Sequence, residues 1–397
     1  MTISVPQGFR LTAVPCGIKA DPTREDLTLI VADQPAIAAG VYTQNLVCAA
    51  PVTVDRQRTP SDKIRAVCVN SGNANACTGE RGMQDALTMA QLAASACGAG
   101  PDQALIMSTG IIGVFLPMDK ITAGIRAAAA RLGNDEASFL LAARGLTTTD
   151  KSHKIASRTL EFGGRTVRLA GMCKGAGMIG PRMATMLAVV LTDAALTVAD
   201  AQASLAAAVE DSFNCISVEG HMSTNDTLLL LASGAACEGP LAGADLARFQ
   251  EALREVCIEL AKQIPDDGEG ATHLVTIDVQ GTAARNDAFR IAKTVAESAL
   301  VKTAIAGGDP NWGRIVSAAG YAGVPFDPAR VSLKVNGTWL YQDGTPVAFD
   351  AASVSQSMRD NRETQVLLTL AEGSASVRFW TSDLTVDYVK FNADYST

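Results

Sequence analysis

An α+β fold is what this sequence predicts, and three features carry the expectation. Short apolar runs rich in β-branched residues are interspersed with Ala-rich amphipathic stretches. The strand-like runs are grouped more than a regular βαβ alternation would give, most of all towards the C-terminus. No internal repeat divides the chain.

Taken in order, residues 27–33, 64–70 and 104–108 read as strands, being short and apolar with β-branched residues among them. Residues 83–97, 118–132 and 198–213 read as helices, and Pro117 stands ahead of the second as a start signal. Alternation across 159–172 around Gly163-Gly164 predicts a β-hairpin. The continuous apolar runs 185–192 and 226–232 read as buried strands. A long amphipathic helix follows over 244–263. It ends at Pro265-Asp-Asp-Gly-Glu-Gly270, which reads as a loop. Residues 291–306 look helical, whereas 331–347 and 364–391 are strand-rich.

With 397 residues the chain exceeds the ~250–300 at which single cores stop growing, so two domains are expected, 1–285 and 286–397. Hydrophobic residues make up 48% and aromatics only 5%, so a large core must be built from Ala, Val, Leu and Ile. The net charge is −8 and Lys and Arg are scattered, which argues against a nucleic-acid partner. No apolar stretch approaches the ~18 residues of a membrane span, and MTISVPQGFRLTAVPCG lacks the pattern of a signal peptide. Nine cysteines without a CxxC pair read as reduced thiols of a cytoplasmic protein. His153, His221 and His273 fit no metal-ligand spacing, so no metal is expected.

Gly175-Ala-Gly177-Met-Ile-Gly180 matches the GxGxxG dinucleotide fingerprint. That motif needs a helix opening directly after it, and here Pro181 and a strand-like run follow. A Rossmann site is therefore not expected.

A different reading covers the same residues. Lys174-Gly-Ala-Gly-Met-Ile-Gly-Pro-Arg-Met-Ala-Thr-Met-Leu187 resembles the self-cleavage segment of the ornithine acetyltransferase/N-acetylglutamate synthase family. Further matches fall in the family's order: Asn70-Ser-Gly-Asn-Ala-Asn-Ala-Cys-Thr-Gly79, Ser108-Thr-Gly-Ile-Ile-Gly113, Thr148-Thr-Asp150 and Ser223-Thr-Asn-Asp-Thr227. Asp267-Gly-Glu-Gly-Ala-Thr272, Gly308-Asp-Pro-Asn-Trp-Gly-Arg314 and Asn392-Ala-Asp-Tyr-Ser-Thr397 complete the set. The resemblance runs essentially from end to end.

The resemblance implies self-cleavage between Ala184 and Thr185, with Thr185 as nucleophile and Thr109 and Gly110 as the oxyanion hole. It places substrate contacts on Thr148, Lys174, Thr185, Glu269, Asn392 and Thr397. It also implies the N-terminal-nucleophile-type architecture of self-processing aminopeptidases, with a smaller C-terminal domain. The reaction implied is ping-pong transfer of acetyl from N²-acetylornithine to glutamate in arginine biosynthesis, with acetyl-CoA as a further donor and no resident cofactor. Fragments 1–184 (α) and 185–397 (β) would assemble into a heterotetramer of two α and two β. Departures from the family pattern occur at Glu219-Gly-His-Met222, His273 and Arg182, none of them a catalytic position. The first of them bears on substrate preference and local packing.

The chemistry is coherent on its own terms. Cleavage would free the Thr185 α-amine, whose ordinary pKa of ~7.7–8.0 suits a general base for its own hydroxyl. β-branching restricts its χ1. Thr109 and Gly110 supply an O–H and an N–H for a tetrahedral oxyanion. Two rival readings are a hydrolase on the same fold and an uncleaved, non-catalytic metabolite-binding protein. Taken singly, a threonine opening a strand or a glutamate in a Gly-rich loop is ordinarily structural.

Overall fold

Residues buried on both faces of a sheet are written as unbroken apolar runs, and the centre of this molecule is built from them. The computed structural model describes residues 3–180 and 186–394. The candidates Ala184, Thr185 and Thr397, together with Arg182, lie outside the described residues.

The first strands are β1 (Phe9–Val14), β2 (Leu27–Tyr42), β3 (Ser61–Asn73), β4 (Ala104–Ile111) and the hairpin β5 (Lys154–Phe162) and β6 (Arg165–Lys174). They are followed by β7 (Leu187–Thr192), β8 (Ile216–Ser217), β9 (Thr227–Ala232) and β10 (Leu274–Thr282). β11 (Ser332–Val335), β12 (Thr338–Gln342), β13 (Thr345–Pro346), β14 (Glu363–Thr369) and β15 (Ala375–Ser382) close the series. An eight-stranded mixed sheet has the order β4-β3-β2-β9-β7-β6-β5, with β1 added antiparallel to β2. A seven-stranded sheet has the order β13-β12-β11-β14-β10-β15-β8. The α+β expectation holds. The second sheet takes β8 and β10 from before the expected boundary at 285/286 and its other strands from after it.

Alternate residues of the first sheet feed separate cores. Ile30, Val67, Leu105, Val189 and Leu229 face a cluster that includes Phe139, Ala142 and Leu146 of helix Glu136–Leu146. Leu29, Cys68 and Ile106 face the cluster of helices Gly79–Ala96 and Met118–Ala129. Val190 and Leu230 join the core of helices Val198–Glu210 and Gly243–Asp266, which continues into the second sheet. The long helix presents Phe249, Leu253, Val256, Leu260 and Ile264 at helical spacing, packing on β5 and β6 and reaching β8 and β15. Each fully buried Leu or Val of this kind contributes about 1.5–3 kcal/mol.

Four sequence expectations are corrected. The first strand continues past residue 33, through Pro35, to Tyr42. The register shifts between Val31 and Ala36, so the proline falls at an irregularity where no ladder N–H is needed. The loop expected from Pro265 starts later, because Pro265 sits in the last helical turn. Asp267 N–H still closes on the carbonyls of Gln263 and Ile264. The helix expected over 291–306 is two helices, Arg285–Glu297 and Ala299–Ala306. They are broken at Ser298, whose side chain accepts the Val301 N–H as an N-cap. Finally, the strand-like reading of 364–391 fails after β15: Val386–Asp394 is helical, and the Thr385 hydroxyl accepts the Tyr388 N–H at its start.

Candidate active site

β3 and β4 run parallel, with Ser71 opposite Thr109 and Gly72 opposite Gly110, and the register slips at Gly72/Asn73. Gly110 adopts φ +133°, and a Cβ there would lie 2.2 Å from the Gly72 carbonyl carbon. Only glycine fits. Thr109 is 4% exposed, and its Oγ1 accepts a hydrogen bond from Lys174 Nζ at 3.4 Å. Lys174 ends β6, directly opposite Leu187 of β7.

A pocket opens over these residues. Thr109, Gly110, Thr148, Lys174, Glu269 and Asn392 line it, together with Ala74, Ile112, Thr149, Gly177, Met178 and Ser223-Thr-Asn225. Every expected site residue among the described residues is therefore in one place, drawn from five separated segments. Asn392 Nδ2 donates to Glu269 Oε2 at 3.2 Å, tying the C-terminal helix to the 267–272 loop. Glu269 N–H donates to the Ala176 carbonyl at 2.9 Å. A Cβ on Gly177 would lie 2.3 Å from the Glu269 carboxylate. This part of the GxGxxG-like stretch thus serves close packing against Glu269, and the described chain resumes at Met186 to enter β7.

Beneath the pocket lies a charge network that sequence reasoning did not find. Asp150 Oδ1 accepts from Lys154 Nζ and from Gly175 N, each at 2.7 Å, and Oδ2 accepts from Thr148 N at 2.9 Å. Lys154 also reaches Asp267 at 2.6 Å. Burial alone would raise the Asp150 pKa, but Lys154 and Lys174 overrule it and hold the carboxyl well below the usual range. Burial pushes the Lys174 ammonium below the lysine range, with Asp150 opposing that shift. A buried pair is costly to break from one side, on the order of 3–5 kcal/mol, so this network fixes the 148–150 and 174–175 walls together. Asp150, Lys174 and Asp267 lay within the motifs that carry the resemblance and Lys154 outside them, and nothing in their spacing announced an ion pair.

Asp226 was also missed. It is fully buried, and its Oδ1 accepts the Met186 N–H at 3.0 Å. Burial raises its carboxyl well above the ordinary range, against the pull of that N–H and of Lys174. Met186, the first described residue after Thr185, is thus held by Asp226, the chain neighbour of the pocket-lining Asn225. Asn225 donates to the carbonyls of Ala74 at 2.7 Å and Ser108 at 2.8 Å, holding the strand that carries Thr109.

The departing segment Glu219-Gly-His-Met222 is not among the pocket's lining residues. Instead, Glu219 accepts the Ile179 N–H through Oε1, while Oε2 has no hydrogen-bond partner among the described residues. Burial, with Glu269 adding to it, pushes the Glu219 carboxyl up to about 8 despite that N–H. The sign follows. Between the unfolded value of 4.5 and about 8 the unfolded chain ionises while the folded one stays protonated, so stability falls as pH rises through that window. The slope is at most about 1.4 kcal/mol per pH unit. Glu219→Gln keeps the acceptor and removes the titration. Its melting temperature is expected to exceed the parent's at pH 8 and to match it near pH 5. Equal pH dependence of the two proteins would refute this.

The ArgJ family model matches residues 10–397. The arginine biosynthesis bifunctional protein ArgJ of Rhodopirellula baltica is 49% identical, over 99% of this chain and 96% of that protein. The chain belongs to the ArgJ family. The ArgJ protein of Geobacter sulfurreducens is 47% identical, over 98% of this chain and 99% of its own. The crystal structure of the ArgJ protein of Bacillus halodurans is 37% identical, with a TM-score of 0.51. It covers 52% of this chain and 98% of the solved one. Among the described residues no helix is long and apolar enough to cross a membrane.

Proposed function

We propose that this member of the ArgJ family moves acetyl from N²-acetylornithine to glutamate in arginine biosynthesis, through an acetyl ester on Thr185 formed after cleavage of the Ala184–Thr185 bond. The observation that carries the reading is the convergence of Thr109, Gly110, Thr148, Lys174, Glu269 and Asn392 on one pocket, with Met186 held by Asp226 next to the pocket-lining Asn225.

The steps follow from these groups. The freed α-amine takes the Thr185 hydroxyl proton as Oγ attacks the acetyl carbonyl of N²-acetylornithine. The oxyanion is met by the Thr109 hydroxyl and the Gly110 N–H. Lys174, donating to Thr109 Oγ1, leaves that hydroxyl's own proton free for the oxyanion. Collapse breaks the C–N bond, and the departing ornithine amine takes the proton back. The glutamate amine then attacks the ester, and Thr185 Oγ leaves and is reprotonated. Lys174 suits a substrate carboxylate and Glu269 a substrate ammonium, in charge-assisted contacts. Acetyl-CoA is a second donor in this reading.

Cleavage would leave the fragments interleaved. β6, before the bond, pairs through Leu169–Lys174 with β7, after it, and β9 of the later fragment pairs with β2 of the earlier one. Fragments 1–184 and 185–397 thus remain associated, and two such pairs form the heterotetramer. The solved relative's chain spans about half of this one, as a processed fragment would. Nine unpaired cysteines fit a cytoplasmic setting. The test is an intact-mass spectrum after incubation with N²-acetylornithine. Two fragments are expected, with one acetyl added to 185–397. An intact chain that takes up no acetyl would overturn the reading.

A further inference from the structure

A second cavity lies on the other side of the 147–150 segment, lined by Arg24, Glu25, Arg144, Thr147, Asp150, Lys151, Ser152 and His153. In a chain of net charge −8, three permanent cations around one opening is a concentration that calls for an anion. The local carboxylates supply it only in part, through one loose ion pair between Glu25 and Arg144. Asp150 spends both oxygens on Lys154, Gly175 N–H and Thr148 N–H. Glu25 stands 3.9 Å from Arg144 Nε, too far for a direct hydrogen bond. Arg24 Nη2 donates to neutral groups, Thr147 Oγ1 at 3.3 Å and the Thr148 carbonyl at 3.1 Å. Lys151 makes no ion pair among the described residues. The field is felt nearby: burial and then Arg24 bring Lys19 down to about 8, and burial, Arg144 and Lys154 lower His153.

The position is informative too. Thr148 and Thr149 line the acetyl-transfer pocket, while Arg24 holds the Thr148 carbonyl and Thr147 lines the cationic cavity. One short stretch of backbone separates the two. A ligand with phosphates at one end and an acetyl group at the other could lie across this wall. The amino-acid substrates carry no phosphate and have no use for the cavity.

We propose that Arg24, Arg144 and Lys151 form a phosphate-binding site for the nucleotide carrier of a thioester acetyl donor, so that this cavity serves the acetyl-CoA route and not the acetylornithine route. The site rests on the proposed use of acetyl-CoA, and two readouts separate the claims. Arg144 and Lys151 are both exposed, so Arg144→Ala/Lys151→Ala is a suitable double variant of the cleaved enzyme, with Lys151→Glu as a second. The KM for acetyl-CoA with glutamate as acceptor is expected to rise by about tenfold for each cation removed, the scale of one lost charge-assisted contact, and transfer from N²-acetylornithine to stay unchanged. Inorganic pyrophosphate is expected to bind the parent by calorimetry, to bind the variants more weakly, and to compete with acetyl-CoA alone. An unchanged KM, or an equal fall in both routes, would overturn the assignment. A parent enzyme that ignores acetyl-CoA yet binds pyrophosphate at this cavity would refute the donor reading and leave the anion site standing. No pyrophosphate binding in the parent would refute the site itself.

Discussion

A Thr185→Ala variant is expected to be recovered as one full-length chain, with acetyl transfer lowered by about 10⁴–10⁶. Two losses combine in it. Without Oγ the Ala184 carbonyl has no internal nucleophile, so the bond stays closed and no α-amine is freed to act as base. Even a chain cut by other means would have no oxygen to carry the acetyl group. The fold should survive, because Met186 is held independently by buried Asp226 and β7 is paired on both sides. Thr185→Ser is the control: it keeps the hydroxyl but loses the χ1 restriction, and should cleave more slowly. Gel analysis and intact mass read the outcome. Two fragments from the alanine variant would place the nucleophile elsewhere.

Thr109→Ala removes one of two oxyanion donors and is expected to lower kcat by about 10²–10³ while KM changes little. The donor acts where charge develops, so its loss falls on the transition state more than on bound substrate. The variant also strips Lys174 of its contact with the hydroxyl, but that lysine keeps Asp150 as a charge partner. Steady-state kinetics with N²-acetylornithine and glutamate check this. A raised KM with unchanged kcat would make Thr109 a binding residue.

Strands buried on both faces were legible in the sequence, because β3, β4, β7 and β9 leave continuous apolar runs. β1 lies in a stretch that stood out less, and it is fixed by pairing with β2. Helix Glu136–Leu146 was missed although Asp135 caps it by accepting the Ser138 N–H, a signal present in the sequence. Residues 386–394 show the limit of reading β-branched and aromatic residues as strand: a local cap decided for helix. The site divides in the same way. Thr109, Gly110, Thr148, Lys174, Glu269 and Asn392 were named through the family pattern, whereas only the fold explains why they meet. Asp150, Lys154 and Asp267 could not be read as a network. Their partnership depends on burial and on the approach of β5 to the 267–272 loop, neither of which one-dimensional spacing records. Asp226 stood inside a quoted motif, yet its hold on Met186 is a purely tertiary fact.

Transfer must outrun hydrolysis for an acetyl ester on Thr185 to be useful. Water is far more concentrated than any amine, so only a positioned acceptor, with effective molarity of about 10⁵–10⁸ M, wins that competition. The most direct measurement isolates the acetylated 185–397 fragment within its complex and follows its mass in buffer alone and with added glutamate. The ester is expected to persist in buffer and to discharge rapidly once glutamate is present, with N-acetylglutamate appearing in equal amount. Loss of the acetyl group at the same rate in both would contradict the transferase mechanism and identify the protein as a hydrolase.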